Sequence, residues 1–162
     1  MAQDLKAIAS GIDEALKLMR ELLQRLRPTI LTDRGLLDSL RWQLSAFQAR
    51  TGIQCLLKTT SEKCDLDEEH ALVVFRIVQE ALTNVGRHAA ASQVEVNIGV
   101  DDSGACSLNI HDNGRGIDPQ DAAKPIAFGL RGMRERVQLL GGSIDIRGTR
   151  ALGTDVAVRF PL

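Results

Sequence analysis

The chain has 162 residues, of which 44% are hydrophobic and 25% are charged, a composition typical of one soluble globular domain. Twenty Lys and Arg against twenty-one Asp and Glu give a net charge of −1, so no overall field would attract nucleic acid or an anionic membrane. Tyrosine is absent, and four Phe and one Trp are too few for a stacking platform that binds single-stranded nucleic acid.

The cysteines are odd in number and have no C-x-x-C spacing, so neither a disulfide framework nor a zinc cluster is expected from Cys55, Cys64 and Cys106. A reducing, cytoplasmic setting suits them. No apolar run approaches the roughly 18 residues of a membrane span, and no signal-peptide pattern is present. Membrane contact of the full-length protein is expected, if at all, only through regions outside this chain.

Apolar residues near the N-terminus recur in alternating steps of three and four, which predicts a helix with a coiled-coil seam. The seam residues are Leu5, Ile8, Ile12, Ala15, Met19, Leu22 and Leu26. Pro28 ends this helix. Because an exposed apolar seam favours burial, the helix is expected to form a homodimer.

Three further elements are predicted before residue 90. An amphipathic helix covers residues 35–50 and ends at Thr51-Gly52. Residues 53–59 are predicted to form a strand. Helical periodicity returns over residues 65–89, with Asp65 as the expected N-cap.

The second half of the chain is predicted to contain two pairs of strands separated by a loop and a short helix. The strands centre on residues 94–100, 106–110, 144–146 and 156–160, with a Gly-rich loop over residues 112–128 and a helix over residues 130–140. This order predicts an α+β fold, a two-layer sandwich in which a mixed, mostly antiparallel sheet is covered on one face by helices.

A polar stripe lies opposite the apolar face of the long middle helix. Its members are Arg76, Glu80, Asn84, Arg87 and His88. A solvated helix surface would show the same pattern. Asn84 is a weak helix former, however, and Gly86 inside a helix costs about 1 kcal/mol relative to Ala, which indicates that local stability is given up for a function.

Two glycine-rich segments are candidates for ligand binding. The first, residues 112–116, follows a strand and is either a turn or a loop in which Asp112 accepts a hydrogen bond from a purine amino group while the glycines let the ligand approach. The second, residues 129–132, opens the short helix and is either a glycine hinge or an anion site made of free N–H groups. Neither segment matches the Walker or dinucleotide fingerprints.

In order and spacing, these segments resemble the nucleotide-binding motifs of sensor histidine kinases. The motifs are the N box at residues 75–84 (FRIVQEALTN) with Arg87-His88-Ala89, the first glycine box at residues 112–117, the second at residues 129–137, and a terminal Gly153-Thr154 element. The Leu26-Arg27-Pro28 and Gly35-Leu36 pairings are similar to the subgroup typified by nitrate/nitrite sensors. The partners of that subgroup are DNA-binding response regulators, and the resemblance implies such a partner for this chain.

The resemblance implies a Bergerat-type fold that binds ATP and Mg²⁺, with residues 31–162 as the ATP-binding domain and residues 1–30 as the second helix of a dimerisation hairpin. Asn84 and Glu80 would be catalytic, Asn84 as an oxygen ligand of Mg²⁺ and Glu80 near the metal or its water. Asp112 would accept from the adenine amino group, and residues 118–128 would form a flexible lid. The other implied ATP-binding residues are Arg87, His88, Gly114, Gly116, Ile117, Gly129, Leu130, Gly132, Met133 and Thr154.

The implied function is transfer of the γ-phosphoryl group of ATP·Mg to a histidine in two-component signal transduction. The accepting histidine belongs to the first hairpin helix, which this sequence lacks, since its only His-Asp pair, His111-Asp112, falls at a strand end. The chain is therefore expected to be a catalytic fragment of a longer sensor that does not phosphorylate itself. Two alternatives remain open: a non-catalytic ATP-sensing interaction module, and an anti-sigma serine kinase or ATPase on the same fold.

Overall fold

The computed structural model of the chain describes residues 29–60, 66–101, 103–117, 128–149 and 152–162. The N-terminal seam, the expected cap Asp65 and residues 118–127 of the expected lid lie outside these ranges. Within the described ranges, no helix has the length and apolar character that crossing a membrane requires.

Helix α1, Thr29–Thr51, precedes the first strand and is interrupted once, at Gly35, whose φ of 74° and ψ of 170° are not helical. From Leu36 onward its apolar residues recur at helical spacing and are buried: Leu36, Leu37, Leu40, Leu44 and Phe47. Gly52, with a φ of 75°, ends the helix by donating its N–H to the Gln48 carbonyl at 2.8 Å. The predicted helix over residues 35–50 is confirmed, apart from the break at its first residue.

Five strands form one sheet in the spatial order β1-β2-β3-β5-β4. Their bounds are Gln54–Thr59 (β1), Gln93–Val100 (β2), Ala105–Asp112 (β3), Ser143–Thr149 (β4) and Gly153–Pro161 (β5). β1 pairs with β2 in parallel, and the other three pairings are antiparallel. The loop predicted to begin at Asp112 therefore begins one residue later, because Asp112 is still paired with Val94 and Thr154.

Helix α2, Glu68–Asn84, continues into one π-helical turn, Val85–Ala89. Its N-cap is Asp67, whose carboxylate accepts the His70 N–H at 2.9 Å, so the expected start at Asp65 was two residues early. Helix α3, Phe128–Leu139, starts two residues before its predicted position and takes Phe128 out of the expected loop. Its C-terminus is closed by the Gly142 N–H, which donates to the Val137 carbonyl.

The helices cover one face of the sheet. Alternate residues of β2, β3 and β5 point into the core, for example Val96, Leu108 and Val158, whereas their neighbours Ser107 and Ala157 are exposed on the other face. Burying each large apolar side chain of such a core contributes about 1.5–3 kcal/mol. The predicted α+β two-layer sandwich with a mixed, mostly antiparallel sheet is confirmed.

Candidate nucleotide site

The end of the N-box helix is the first part of the site. After Asn84 the helix widens into the π-helical turn, and Ala90 follows in a left-handed conformation with a φ of 51°. π-helical turns are rare and often occur at functional sites. The turn also explains Gly86, because a Cβ atom there would lie 3.2 Å from the Phe47 ring of α1. Gly86 therefore suits the close packing of this turn on Phe47.

The first glycine box packs directly on this turn. The Arg115 N–H donates to the Ala89 carbonyl at 2.8 Å. A Cβ atom at Gly114 would overlap the same carbonyl oxygen and would lie 2.8 Å from Oδ1 of Asp112. Only glycine fits here, so the loop and the end of the N box form one surface.

Asp112 is a buried carboxylate at the last position of β3, with 5% of its surface exposed. Its Oδ1 accepts the Gly114 N–H at 2.9 Å. No residue among those described donates to its Oδ2. A buried carboxylate with a remaining lone-pair oxygen is suited to accept a hydrogen bond from a ligand amino group.

The terminal Gly153-Thr154 element lies beside Asp112. Thr154 is paired with Asp112 across β3 and β5 and is buried. Gly153 has a φ of 96°, and a Cβ atom there would overlap the Asp112 carbonyl oxygen. Gly116, in the same loop, packs closely on the end of β4, because a Cβ atom at Gly116 would lie 2.5 Å from the Thr149 carbonyl oxygen. The first glycine box is thus held between the N box and the β4–β5 turn.

The second glycine box meets the N-box helix at Glu80. A Cβ atom at Gly129 would overlap the Glu80 carboxylate and would lie 2.8 Å from its Cδ. At Gly132 a Cβ atom would lie 3.1 Å from Nη1 of Arg136. Leu130 and Met133, the apolar members of this box, are buried in the core beneath it. The structure therefore brings all four motifs together around the C-terminal half of α2.

The polar stripe divides into two parts. Arg76, Glu80 and Asn84 are half-buried, whereas Arg87 and His88 are exposed on the π-helical turn. Burial, and to a smaller extent the charge of Arg136, lower the pKa of the Arg76 guanidinium, which still remains protonated at neutral pH. The side chain of Asn84 does not cap the turn that follows it.

Comparison with known proteins identifies the family. Residues 69–162 match the family of histidine kinase-, DNA gyrase B-, and HSP90-like ATPases. This chain belongs to that family.

Two similar proteins indicate the place of this chain within that family. The chain is 36% identical to the signal transduction histidine-protein kinase/phosphatase DegS of Brevibacillus brevis, over 94% of this chain and 42% of that protein. It is also 36% identical to the sensor histidine kinase LiaS of Bacillus subtilis (strain 168), over 92% of this chain and 40% of that protein. The chain thus spans less than half the length of these relatives. It contains the ATP-binding domain of a sensor histidine kinase.

A solved structure shows the same fold. The histidine kinase domain of the blue-light activated histidine kinase EL346 from Erythrobacter litoralis superposes with a TM-score of 0.64 at 25% identity, covering 76% of this chain and 63% of that one. The five-stranded mixed sheet with helices on one face is therefore the histidine-kinase ATPase architecture.

The site of this ATPase domain offers oxygen donors that suit Mg²⁺. Glu80 and Asn84 stand one helical turn apart on α2, so their side chains share a face. Mg²⁺ prefers hard oxygen ligands and is usually held by one or two protein groups together with substrate phosphates and water. A carboxylate and an amide oxygen fit that pattern.

Asn113 has a role that the sequence did not reveal. Its Oδ1 accepts the backbone N–H groups of Ser92 and Gln93, both at 3.0 Å, and its Nδ2 donates to Oγ of Ser92 at 2.9 Å. These bonds tie the first glycine box to the start of β2. The available signal was the tendency of Asn to bond backbone groups, but that tendency does not name a partner about twenty residues away in the chain.

Proposed function

We propose that this domain binds ATP with Mg²⁺ and transfers the γ-phosphoryl group to a histidine supplied by a helical hairpin outside it. The single observation that supports this most is the meeting of the four motifs. Asp112 contacts Gly114, which packs on Ala89 at the end of the N box, while Glu80 on the same helix faces Gly129. In this proposal the adenine lies at Asp112, beside Ala89, and the phosphates lie along the polar stripe between Glu80 and His88.

Each residue has a separate task in this proposal. Asp112 accepts a hydrogen bond from the adenine amino group and orients the base. Arg87 and His88, exposed on the π-helical turn, neutralise phosphate charge, and the N–H groups near Gly129 and Gly132 bind phosphate oxygens. Asn84 ligates the metal through its amide oxygen, and Glu80 orders a water bound to it. The metal, when bound, draws charge from the transferring group.

The transfer itself requires no protein nucleophile in this domain. A ring nitrogen of the acceptor histidine attacks the γ-phosphorus as the bond to the β–γ bridging oxygen breaks, and ADP leaves with the electron pair. Catalysis then consists of positioning and charge neutralisation. The phosphohistidine would pass its phosphoryl group to a DNA-binding response regulator, and the N-terminal seam would hold two copies together. These partners are parts of the same proposal.

Two measurements, made one after the other, test the proposal. Calorimetry with ATP·Mg is expected to give a dissociation constant in the micromolar to sub-millimolar range, about −4 to −8 kcal/mol, which suits a nucleotide that must enter and leave. No heat from folded protein would refute nucleotide binding. Radiolabelled ATP with a separately made acceptor hairpin is then expected to label the hairpin histidine.

The second measurement also separates the alternatives. Binding without labelling of any hairpin would favour a non-catalytic ATP-sensing module. An acid-stable label on a serine would favour a serine kinase, since phosphohistidine is lost in acid whereas phosphoserine is kept. The chain alone, with ATP·Mg, is expected to remain unlabelled.

A further inference from the structure

Arg136 lies on the face of α3 that packs against α2. Gly129, Gly132 and Arg136 are three and four residues apart, so they share one face of α3. That face meets α2, because a Cβ atom at Gly129 would overlap the Glu80 carboxylate. A Cβ atom at Gly132 would lie 3.1 Å from Nη1 of Arg136, so this guanidinium reaches back one turn toward the start of α3. The two glycines therefore let a carboxylate and a guanidinium lie directly on the backbone of α3.

Arg76 brings a second positive charge to the same contact from α2. It stands four residues before Glu80, so the two side chains share a face of the helix. Its Nη1 donates to Oε1 of Gln79 at 2.8 Å, so the guanidinium is turned in the direction of Glu80. Burial first, and then the charge of Arg136, lower the pKa of Arg76. Two half-buried guanidinium groups of like charge therefore lie near one another where α2 meets α3.

This pair of charges is suited to an anion. No carboxylate among the residues that the structure describes forms an ion pair with Arg136, whereas Arg131 on the same helix is paired with Glu135. Like charges that are partly withdrawn from water repel one another, and an anion bound beside them relieves that repulsion. A phosphoryl group matches planar guanidinium donors in charge and in the spacing of its oxygens.

We propose that Arg136, with Arg76 beside it, binds the γ-phosphoryl group of ATP. The inference rests on the function proposed above, which puts the adenine at Asp112 and the phosphates along the polar stripe as far as Glu80. The arginines lie on the side of Glu80 away from the adenine, so the last of the three phosphates is the one they meet. Their charge also offsets the repulsion between Glu80 and that phosphate. Arg136 therefore contributes to the affinity for ATP and not to the affinity for ADP.

Calorimetry with ADP and with the non-hydrolysable β,γ-imido analogue of ATP, both with Mg²⁺, tests this difference. Arg136→Gln is expected to lower affinity for the analogue about tenfold or more, because hydrogen bonds between charged groups are lost. Affinity for ADP, which has no γ-phosphate, should change by less than about twofold. Unchanged ADP binding would also show that the variant is folded and that its adenine site is intact.

Arg131→Gln is the matched control. It removes the same charge from the exposed side of α3 away from α2, so both affinities should stay unchanged. Arg136→Lys keeps the charge without the planar fork and should lose less affinity for the analogue than Arg136→Gln.

Three results would overturn the inference and leave nucleotide binding itself established. They are an equal loss of both nucleotides in Arg136→Gln, no loss of the analogue in that variant, and an equal loss of the analogue in the Arg131→Gln control. A different result, in which the unmodified chain binds neither nucleotide, would refute the proposed function, and the inference would fall with it.

Discussion

Asp112 is a carboxylate whose position is fixed by backbone pairing and by a hydrogen bond. It is held between Val94 and Thr154 in the sheet, and its Oδ1 is fixed by the Gly114 N–H. Asp112→Asn is expected to lower ATP affinity about tenfold or more, because a hydrogen bond to a charged acceptor contributes about 1.5–3 kcal/mol. Calorimetry would measure this. Asp155→Asn, an exposed carboxylate on the adjacent strand, should leave affinity unchanged, and equal losses in both variants would contradict the assignment.

Asn84 is expected to serve the metal rather than the base. Asn84→Ala removes an amide oxygen from α2 but leaves Asp112 and its glycine loop intact. Adenosine binding should therefore be kept, whereas Mg²⁺-dependent ATP affinity and phosphoryl transfer should fall. Titrations of adenosine and of ATP, with and without Mg²⁺, would separate recognition of the base from binding of the metal. If this variant and Asp112→Asn lose adenosine affinity equally, the two roles are not distinct.

Gly153, the first residue of β5, is a position where two separate features favour glycine. Its φ of 96° disfavours other residues, and a Cβ atom would also overlap the Asp112 carbonyl oxygen. Gly104, in the β2–β3 turn, has a φ of 78° but open space around it. Gly104→Ala should therefore cost about 1–2 kcal/mol for the left-handed conformation alone. Gly153→Ala should cost more in urea unfolding and should also weaken ATP binding; equal costs would show that the overlap is relieved without effect.

The β2–β3 turn is stabilised by a charge that acid removes. Asp101 accepts hydrogen bonds from the Ser103 hydroxyl, from Arg159 and from the Ala105 N–H, and these hold the pKa of its carboxyl well below the ordinary value of about 4. Below that ordinary pKa the Asp101 carboxyl binds a proton in the unfolded state but stays ionised in the folded state. The stabilisation from Asp101 is therefore fully present above the ordinary pKa and is lost as the pH falls toward the lower pKa of the folded state.

Asp101→Asn should therefore flatten the acid side of the stability curve below about pH 4, where the unfolded carboxyl begins to bind its proton. Urea unfolding at a series of pH values would show this. Asp145→Asn, on an exposed carboxylate of β4 that forms an ion pair with Arg147, is the matched control and should keep the steeper acid side. A variant curve parallel to that of the unmodified chain would contradict the role of Asp101.

The elements show what a sequence pattern can and cannot specify. Strict alternation predicted β2 and β3 correctly, because a half-buried strand with a solvated face repeats every two residues. The irregular run Cys55-Leu56-Leu57 predicted a strand but not its parallel pairing with β2, since a pattern along one strand does not name its neighbour. The π-helical turn Val85–Ala89 was also not predicted. Its Gly86 lies against Phe47 and its Ala89 against the glycine loop, and periodicity along the helix does not specify such distant contacts.

At the scale of the molecule, the motifs that carry the resemblance lie far apart in the chain and meet in space. Asp112 and Thr154 are neighbours only because β3 and β5 pair, and Glu80 meets Gly129 only because α3 packs against α2. Order and spacing of the motifs predicted this meeting through the family resemblance. Periodicity alone did not, since it carries no information about which distant elements touch.

The division of the chain into a pairing segment and a nucleotide domain can be tested by deletion. The described core residues lie between Leu36 and Phe160 and pack on one another. Removing residues 1–27 is expected to yield a monomer that binds ATP with unchanged affinity, because the seam is the expected dimer contact and the four motifs all remain. Light scattering and calorimetry on the same sample would measure both properties. A truncated protein that stays dimeric would place the dimer contact on the nucleotide domain, and one that is folded yet no longer binds ATP would show that the segment completes the site.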